Sequence, residues 1–225
     1  MALIFNGSTD KLLITDSADF DFGGNDFTMC WWEYRTATTT SRAVFARDEV
    51  SIFSHFLLGL YSAGSLLVYC SSNGINWDVI SGLSLGAASV NSWSHYMLTR
   101  SGSTFNTYKD GAFIATANSA TAFPATANSL SIGHVQNTHW FPGWLFDLRI
   151  YNGTAQSTNN IKSIYEGRGS DGITTNLVLR MKFDEKAEGV TSSAASDFID
   201  VSPKNQTPVT LGGTPTFGAS PFIEG

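Results

Sequence analysis

Residues 142–152 read Pro142-Gly-Trp144-Leu-Phe146-Asp-Leu148-Arg-Ile150-Tyr-Asn152. Trp144, Phe146, Leu148 and Ile150 alternate with Leu145, Asp147, Arg149 and Tyr151. A side-chain period of two belongs to an extended strand with one face buried. The apolar row is too wide to leave in water, so it is expected to face a second layer. Gly143, after Pro142, suits a bend or bulge where the strand enters its sheet.

The pattern recurs on both sides of this stretch. Leu3, Phe5 and residues 12–14 read as short strands, with a hairpin-type turn signal at Asn6-Gly7 between them. Residues 27–35 are apolar on both faces, as in the middle of a two-layer sandwich. Residues 56–61 and 66–71 form an expected hairpin about Ala63-Gly64, and residues 77–80 a further strand. Residues 92–100 point Trp93, His95 and Met97 one way. Asp110-Gly111, between residues 105–108 and 113–116, is a strong hairpin signal. A helix is expected from Ser157 or Thr158 to Gly167, with Ile161, Ile164 and Tyr165 on one face, plugging one end of the sandwich. Strands are expected again at 176–183, 198–201 and 208–211, and the last ten residues read as extended and loosely held.

These signals predict an all-β fold: a two-sheet antiparallel β-sandwich of jelly-roll type with one short helix. Residues 1–225 read as a single domain. Residues 176–225 form a C-terminal strand-and-tail extension that completes or decorates it.

Composition narrows the function. Hydrophobic residues make up 42% of the chain and charged residues only 14%, which is ample for a core and excludes wholesale disorder. The net charge is −6 and lysines and arginines are scattered, which argues against nucleic acid and anionic membranes as partners. No apolar run is long enough for membrane insertion. Cys30 and Cys70 each sit in an apolar run and are expected as buried free thiols. The opening Met-Ala-Leu-Ile-Phe-Asn-Gly-Ser does not resemble a signal peptide, so folding in a cytoplasm is expected.

Several landmarks occur in a telling order: Phe5-Asn6-Gly7; Phe27-Thr28 leading to Trp32; Trp93 and His95 leading to Thr99-Arg100; Tyr108-Lys109-Asp110-Gly111; Leu130 to Gly133; and Gly143 to Asn152 followed by the helix to Tyr165. Together they resemble the laminin-G-like, concanavalin A-like jelly rolls, particularly the pentraxin-related group. The likeness covers residues 2 to about 167. One feature departs from it. A segment like residues 177–185, with a later Asp200-x-Ser202, precedes the Phe-Asn-Gly start in many relatives and here follows the helix. It is expected to close the sheet beside Leu3, as in a circular permutation, or to pair with a neighbouring subunit.

The resemblance implies an all-β lectin-like domain and makes calcium the usual ion, though no cofactor is required. Calcium wants several oxygen ligands, and Asp16, Asp19, Asp21, Asn25 and Asp26 are the densest candidates, with ordinary turn chemistry as their other role. Glycans bind β-sandwiches through exposed aromatics and side-chain amides or carboxylates. Trp77, Asn137, His139, Trp140 and Tyr61 lie near expected turns and qualify. Trp31, Trp32, Trp93 and Trp144 lie mid-strand and are expected in the core. Catalysis is disfavoured. No nucleophile elbow or Ser/His/Asp order stands out. Glycosidases need two carboxyls facing one bond, but no Glu-x-Asp-x-Glu strand exists, and adjacent Asp184 and Glu185 point to opposite faces. His95 is expected to be structural.

Family members in phages serve as capsid decorations, head fibres and tail-fibre tips. The resemblance therefore implies a non-enzymatic phage virion structural protein, folded in the host cytoplasm and carried outside on the particle. Its expected partners are other capsid or tail proteins and further copies of itself as a homo-oligomer, with host-surface glycans as candidate ligand. The alternative is a carbohydrate-binding module of a bacterial cell-surface or cellular protein, and a glycoside hydrolase comes third.

Overall fold

The computed structural model describes residues 1–38, 43–47, 53, 55–136, 139–206, 208–219 and 222, with Val209 as backbone alone. Its strands are β1 (Ala2–Asn6), β2 (Lys11–Ile14), β3 (Phe27–Arg35), β4 (Phe45–Arg47), β5 (Leu57–Ser62), β6 (Ser65–Cys70), β7 (Ile80–Ala87), β8 (Trp93–Ser101), β9 (Thr104–Lys109), β10 (Ala112–Asn118), β11 (Leu130–Ile132), β12 (His134–Val135), β13 (His139–Trp140), β14 (Pro142–Asn152), β15 (Leu177–Met181), β16 (Pro208–Gly212) and β17 (Thr216–Gly218). Among the described residues, one α-helix, α1 (Thr158–Gly167), and two short 3-10 turns, Ala18–Phe20 and Ala195–Asp197, interrupt them.

Two antiparallel sheets form the sandwich. The first has eight strands, ordered β10-β9-β8-β3-β14-β1-β17, with β15 also on β14. The second has seven, ordered β16-β2-β11-β4-β5-β6-β7, and β12 and β13 make a separate ribbon. Between the sheets lies one apolar core. Leu3, Phe27, Met29, Trp31, Leu145, Leu148 and Ile150 of the first sheet meet Leu12, Phe45, Leu58, Val68 and Ile132 of the second. Burial of this surface is the main stabilising term.

The long strand β14 departs from the strict alternation of its sequence. Phe146 pairs with Trp32 but Arg149 pairs with Cys30, so β14 spends one residue more than β3. This is a bulge, and it exchanges the two faces of the strand. Asp147 sits there at φ +49°, in the left-handed region that Asp tolerates better than most residues. Leu148 and Ile150 therefore face the core, whereas Trp144 and Phe146 face outward beside Tyr34 and Trp32. The expectation that all four share a buried face is corrected by this one-residue shift. The bulge also divides one edge of β14: β1 pairs before it (Leu3↔Leu145) and β15 after it (Ile150↔Leu179). Gly143 is needed for another reason, since a Cβ there would lie 2.3 Å from the Tyr34 carbonyl oxygen.

Residues 177–218 supply strands to both sheets. β15 lies on β14, β17 on β1 (Leu3↔Phe217) and β16 on β2 (Leu211↔Leu12). The last ten residues thus include a paired strand.

Four further expectations change. β1 and β2 join different sheets, so Asn6-Gly7 makes a corner and not a hairpin. The Asn6 side-chain oxygen accepts from the Ser8 and Thr9 N–H groups, each at 2.9 Å, and folds the chain across. Helix α1, capped by Ser157, lies on the outer face of the first sheet instead of plugging an end. There Ile161 and Ile164 pack on Cys30, Met97, Tyr151 and Leu177. Residue 77 precedes its strand, because Asn73 gathers the Ile75 and Asn76 N–H groups into a loop. Residues 198–201 contribute a single bridge, Asp200 to Met181. Cys30 and Cys70 are free and buried.

Candidate functional site

The acidic loop is engaged by the protein's own cations. Asp16 Oδ1 and Asp21 Oδ1 accept from Arg47 Nη2 at 2.5 and 3.1 Å, and the Thr126 carbonyl accepts from the same nitrogen at 3.1 Å. Arg47 is 1% exposed. Asp19 accepts from Lys204 Nζ at 2.8 Å and Gln206 Nε2 at 2.9 Å. Asp26 accepts from the Gly102 N–H at 2.7 Å, and the exposed Asn25 closes a turn on the Phe22 carbonyl. Oxygens do converge here, as calcium would need, but a guanidinium nitrogen holds the point of convergence. This donor set does not fit the ion. Among the described residues, no group of three His, Cys, Asp or Glu side chains is placed to hold a metal.

The residues expected to meet a glycan are partly brought together. Trp77 packs on Tyr69 at 5.1 Å and on Phe53 at 5.0 Å between ring centroids. Val135 packs into the same cluster on the outer face of the second sheet, and it pairs with His139. Trp140 pairs with His134, and their rings lie 4.1 Å apart between centroids, tilted by 42°. Trp77, His139 and Trp140 therefore belong to one side of the molecule. Tyr61 does not join them, because it packs against the main core. Asn137 lies outside the described residues.

A second aromatic group stands on the outer face of the first sheet. Trp144 pairs with Tyr34 and Tyr34 with Trp93, one residue from each of β14, β3 and β8. Directly opposed residues share a face. Tyr34 lies 5.4 Å from Trp144 and 5.8 Å from Trp93, and all of these rings are half-buried. Trp93 and Trp144 were expected in the core, and their place outside it corrects that expectation. Trp31 is in the core, while Trp32 is buried on the outer face under Tyr165. The signal for this group was Asp147, a bulge-tolerant residue inside an apolar alternation.

A buried ion network locks the same face below. Asp147 accepts from Arg149 and Arg180, and Asp171 accepts from both Nη atoms of Arg149. Burial opposes the Arg149 charge, but Asp171 and Asp147 overcome it and push its pKa up. His95, 1% exposed, has no partner for either ring nitrogen among the described residues. Burial, with Arg149 nearby, pushes its pKa down to about 3, so it is neutral at physiological pH. Glu185 is pushed up by burial and accepts from the Ile199 N–H, while neighbouring Asp184 is held by Lys182 at 2.9 Å. No cavity opens among the described residues.

Comparisons with known proteins agree with this architecture. A family model described as the concanavalin A-like lectin/glucanases superfamily matches residues 6–162. A Bacteroides ovatus structure assigned to carbohydrate binding superposes with a TM-score of 0.65 at 17% identity, covering 95% of this chain and 59% of that one. The chain thus spans about three-fifths of that protein. Domain 4 of AbnA, a GH43 extracellular arabinanase from Geobacillus stearothermophilus, solved with arabinotriose, gives 0.56 at 17% identity, covering 73% of this chain and 76% of that one. The heptameric SAP-like pentraxin of Limulus polyphemus gives 0.53 at 14%, covering 73% and 81%. At these identities the likeness is one of fold. A search of curated proteins found no match.

Proposed function

The chain belongs to the concanavalin A-like lectin/glucanases superfamily, and from that premise we propose that it is a carbohydrate-binding domain that holds its ligand without cleaving it. The observation that carries this reading is the placement of large aromatic rings outside the sandwich, on both sheets, with no enclosed cleft among the described residues. Sugar rings present apolar C–H faces that stack on such rings, while their hydroxyls take hydrogen bonds from polar neighbours. Hydrolysis would need a proton donor and a second carboxylate across one bond. Among the described buried carboxylates, Glu33 pairs with Arg35 and Asp147 with Arg149 and Arg180, while Asp10 and Asp200 are taken up by backbone N–H groups; the half-buried Asp171 pairs with Arg149. The Bacteroides ovatus and arabinanase-domain structures, one assigned to carbohydrate binding and the other holding arabinotriose, support the same reading. A glycan array probed with the full chain tests it. Signal on a coherent set of glycans is the expected outcome, and an array without signal removes the proposal.

A place on a virion, with capsid or tail proteins as partners, rests on the family resemblance of the sequence alone. Detection of the chain by mass spectrometry in purified particles tests it, and its absence from them leaves the cellular binding module. Self-association belongs to the same proposal. The edge strand β10 carries no charge and leaves Phe113 58% exposed, without the lysines or prolines that protect edges. Light scattering after gel filtration should give a mass above that of one chain.

A further inference from the structure

We propose that Trp93, Tyr34 and Trp144 form the ligand platform, and that it takes a single soluble chain of an uncharged polysaccharide. This deepens the carbohydrate-binding reading and rests on it. The outer face of the first sheet is built in rows that cross β8, β3 and β14. One row is Met97, Cys30 and Arg149, and α1 covers it with Ile161 and Ile164. The next is His95, Trp32 and Phe146. Tyr165 stacks on Trp32 at 5.5 Å, and Phe222 meets Trp32 at 4.7 Å and Phe146 at 5.7 Å. The third row is Trp93, Tyr34 and Trp144. Among the described residues, cover stops one row short of it, and its rings are half-buried. Water contact on three adjacent large rings forfeits stabilisation that a covering residue would recover.

Charge and ring geometry select the ligand. The two charged residues of β3 beside Tyr34 turn inward: Glu33 and Arg35 pair with each other at 3.0 Å, and Arg35 reaches the Gly59 carbonyl of the second sheet. Exposed neutral groups border the row instead. Ser92 precedes Trp93, and Asn91 is held against Arg35 by its N–H, 2.9 Å from that residue's carbonyl. They offer both donors and acceptors, as sugar hydroxyls require, while Arg35, the cation of β3 beside Tyr34, is engaged inside the sandwich and leaves no counter-charge there for an anion. The rings are not coplanar. Tyr34 tilts 36° from Trp144 and 57° from Trp93. A flat crystalline polysaccharide would need one common plane. A free chain, whose sugar rings turn from one to the next, can seat each ring separately.

The test measures binding of soluble neutral polysaccharides (arabinan, xylan, mixed-linkage glucan and mannan) by titration calorimetry with the full chain and variants. Crystalline cellulose serves as the flat surface. Trp93→Ala and Trp144→Ala should each weaken binding by roughly tenfold or more, Trp144→Phe by less, and Phe113→Ala not at all. Melting curves identify folded variants, and where Trp144→Ala fails to fold, Trp93→Ala and Trp144→Phe carry the test. Loss of binding in Trp77→Ala with full binding in Trp93→Ala overturns the platform and leaves the carbohydrate-binding reading intact. Capture on crystalline cellulose alone overturns the ligand class. A dimer that Trp144→Ala dissociates, with glycan affinity unchanged, makes a second copy the occupant and overturns the proposal. Failure of the wild-type chain to bind any glycan overturns the functional reading itself, and this proposal with it.

Discussion

His95 gives a stability prediction whose size follows from its surroundings. Its imidazole is buried between the Trp32 ring, 5.1 Å away, and Tyr165, 6.2 Å away. Burial and then the Arg149 charge push its pKa down to about 3, with Asp147 and Asp171 opposing. The unfolded chain takes up the proton near the ordinary value of about 6.5. Between these values the unfolded state binds the proton and the folded state does not. Stability is therefore full above about pH 6.5 and is lost as the pH falls toward 3. Over the roughly 1.5 units from pH 6.5 to 5, the loss is about 2 kcal/mol at ~1.4 kcal/mol per unit. His95→Phe fills similar space and removes the titration. It also removes two ring nitrogens that lack partners among the described residues, so at pH 7 it should be neutral or stabilising. Urea unfolding followed by tryptophan fluorescence at pH 7, 6 and 5 measures the difference. Glu185, Asp171 and the other acids are common to both proteins and cancel. Wild type and variant losing stability in parallel from pH 7 to 5 would refute the burial of a neutral imidazole.

Other outcomes follow from the same outer face and from the acidic loop. Arg149→Met leaves Asp147 and Asp171 without their shared cation and should cost about 3–5 kcal/mol in urea unfolding; a cost below about 1 kcal/mol would mean that water screens the network. Cys30, buried and pushed up to about 12 by burial, should resist a thiol reagent in the native protein and react on unfolding; rapid native labelling would contradict its packing under α1. The melting temperature should be the same in chelator and in millimolar calcium, because Arg47 holds the point where Asp16, Asp21 and the Thr126 carbonyl converge; a clear upward shift with calcium would show that the guanidinium yields.

Much of the sandwich is legible because its signals are local. Asp110-Gly111 takes φ +51° and +76°, the pair of positive values that a two-residue hairpin demands, and it joins β9 to β10. Gly133 closes the Leu130-x-Ile signature for a packing reason. A Cβ there would lie 2.3 Å from the Phe5 ring. What the sequence hides is non-local. Alternation through residues 144–150 assumes an unbroken register, and the extra residue at Asp147 reverses the faces halfway along. In β3 both faces are apolar, so nothing in the sequence says which one meets the second sheet. The aromatic row therefore reads as core. Trp77 and Trp140 were legible as outlying aromatics because they sit beside turns. Tyr61 also sits beside a turn but packs against the main core, a direction that closeness to a turn does not reveal.

Affinity electrophoresis of the full chain through gels cast with soluble neutral polysaccharides tests the central claim most directly. Retardation in at least one gel, with the embedded polymer left intact along the lane, is the predicted result. Unretarded migration through every gel, or a cleared track where the polymer has been cut, would contradict a domain that grips sugar on an open aromatic face and leaves it whole.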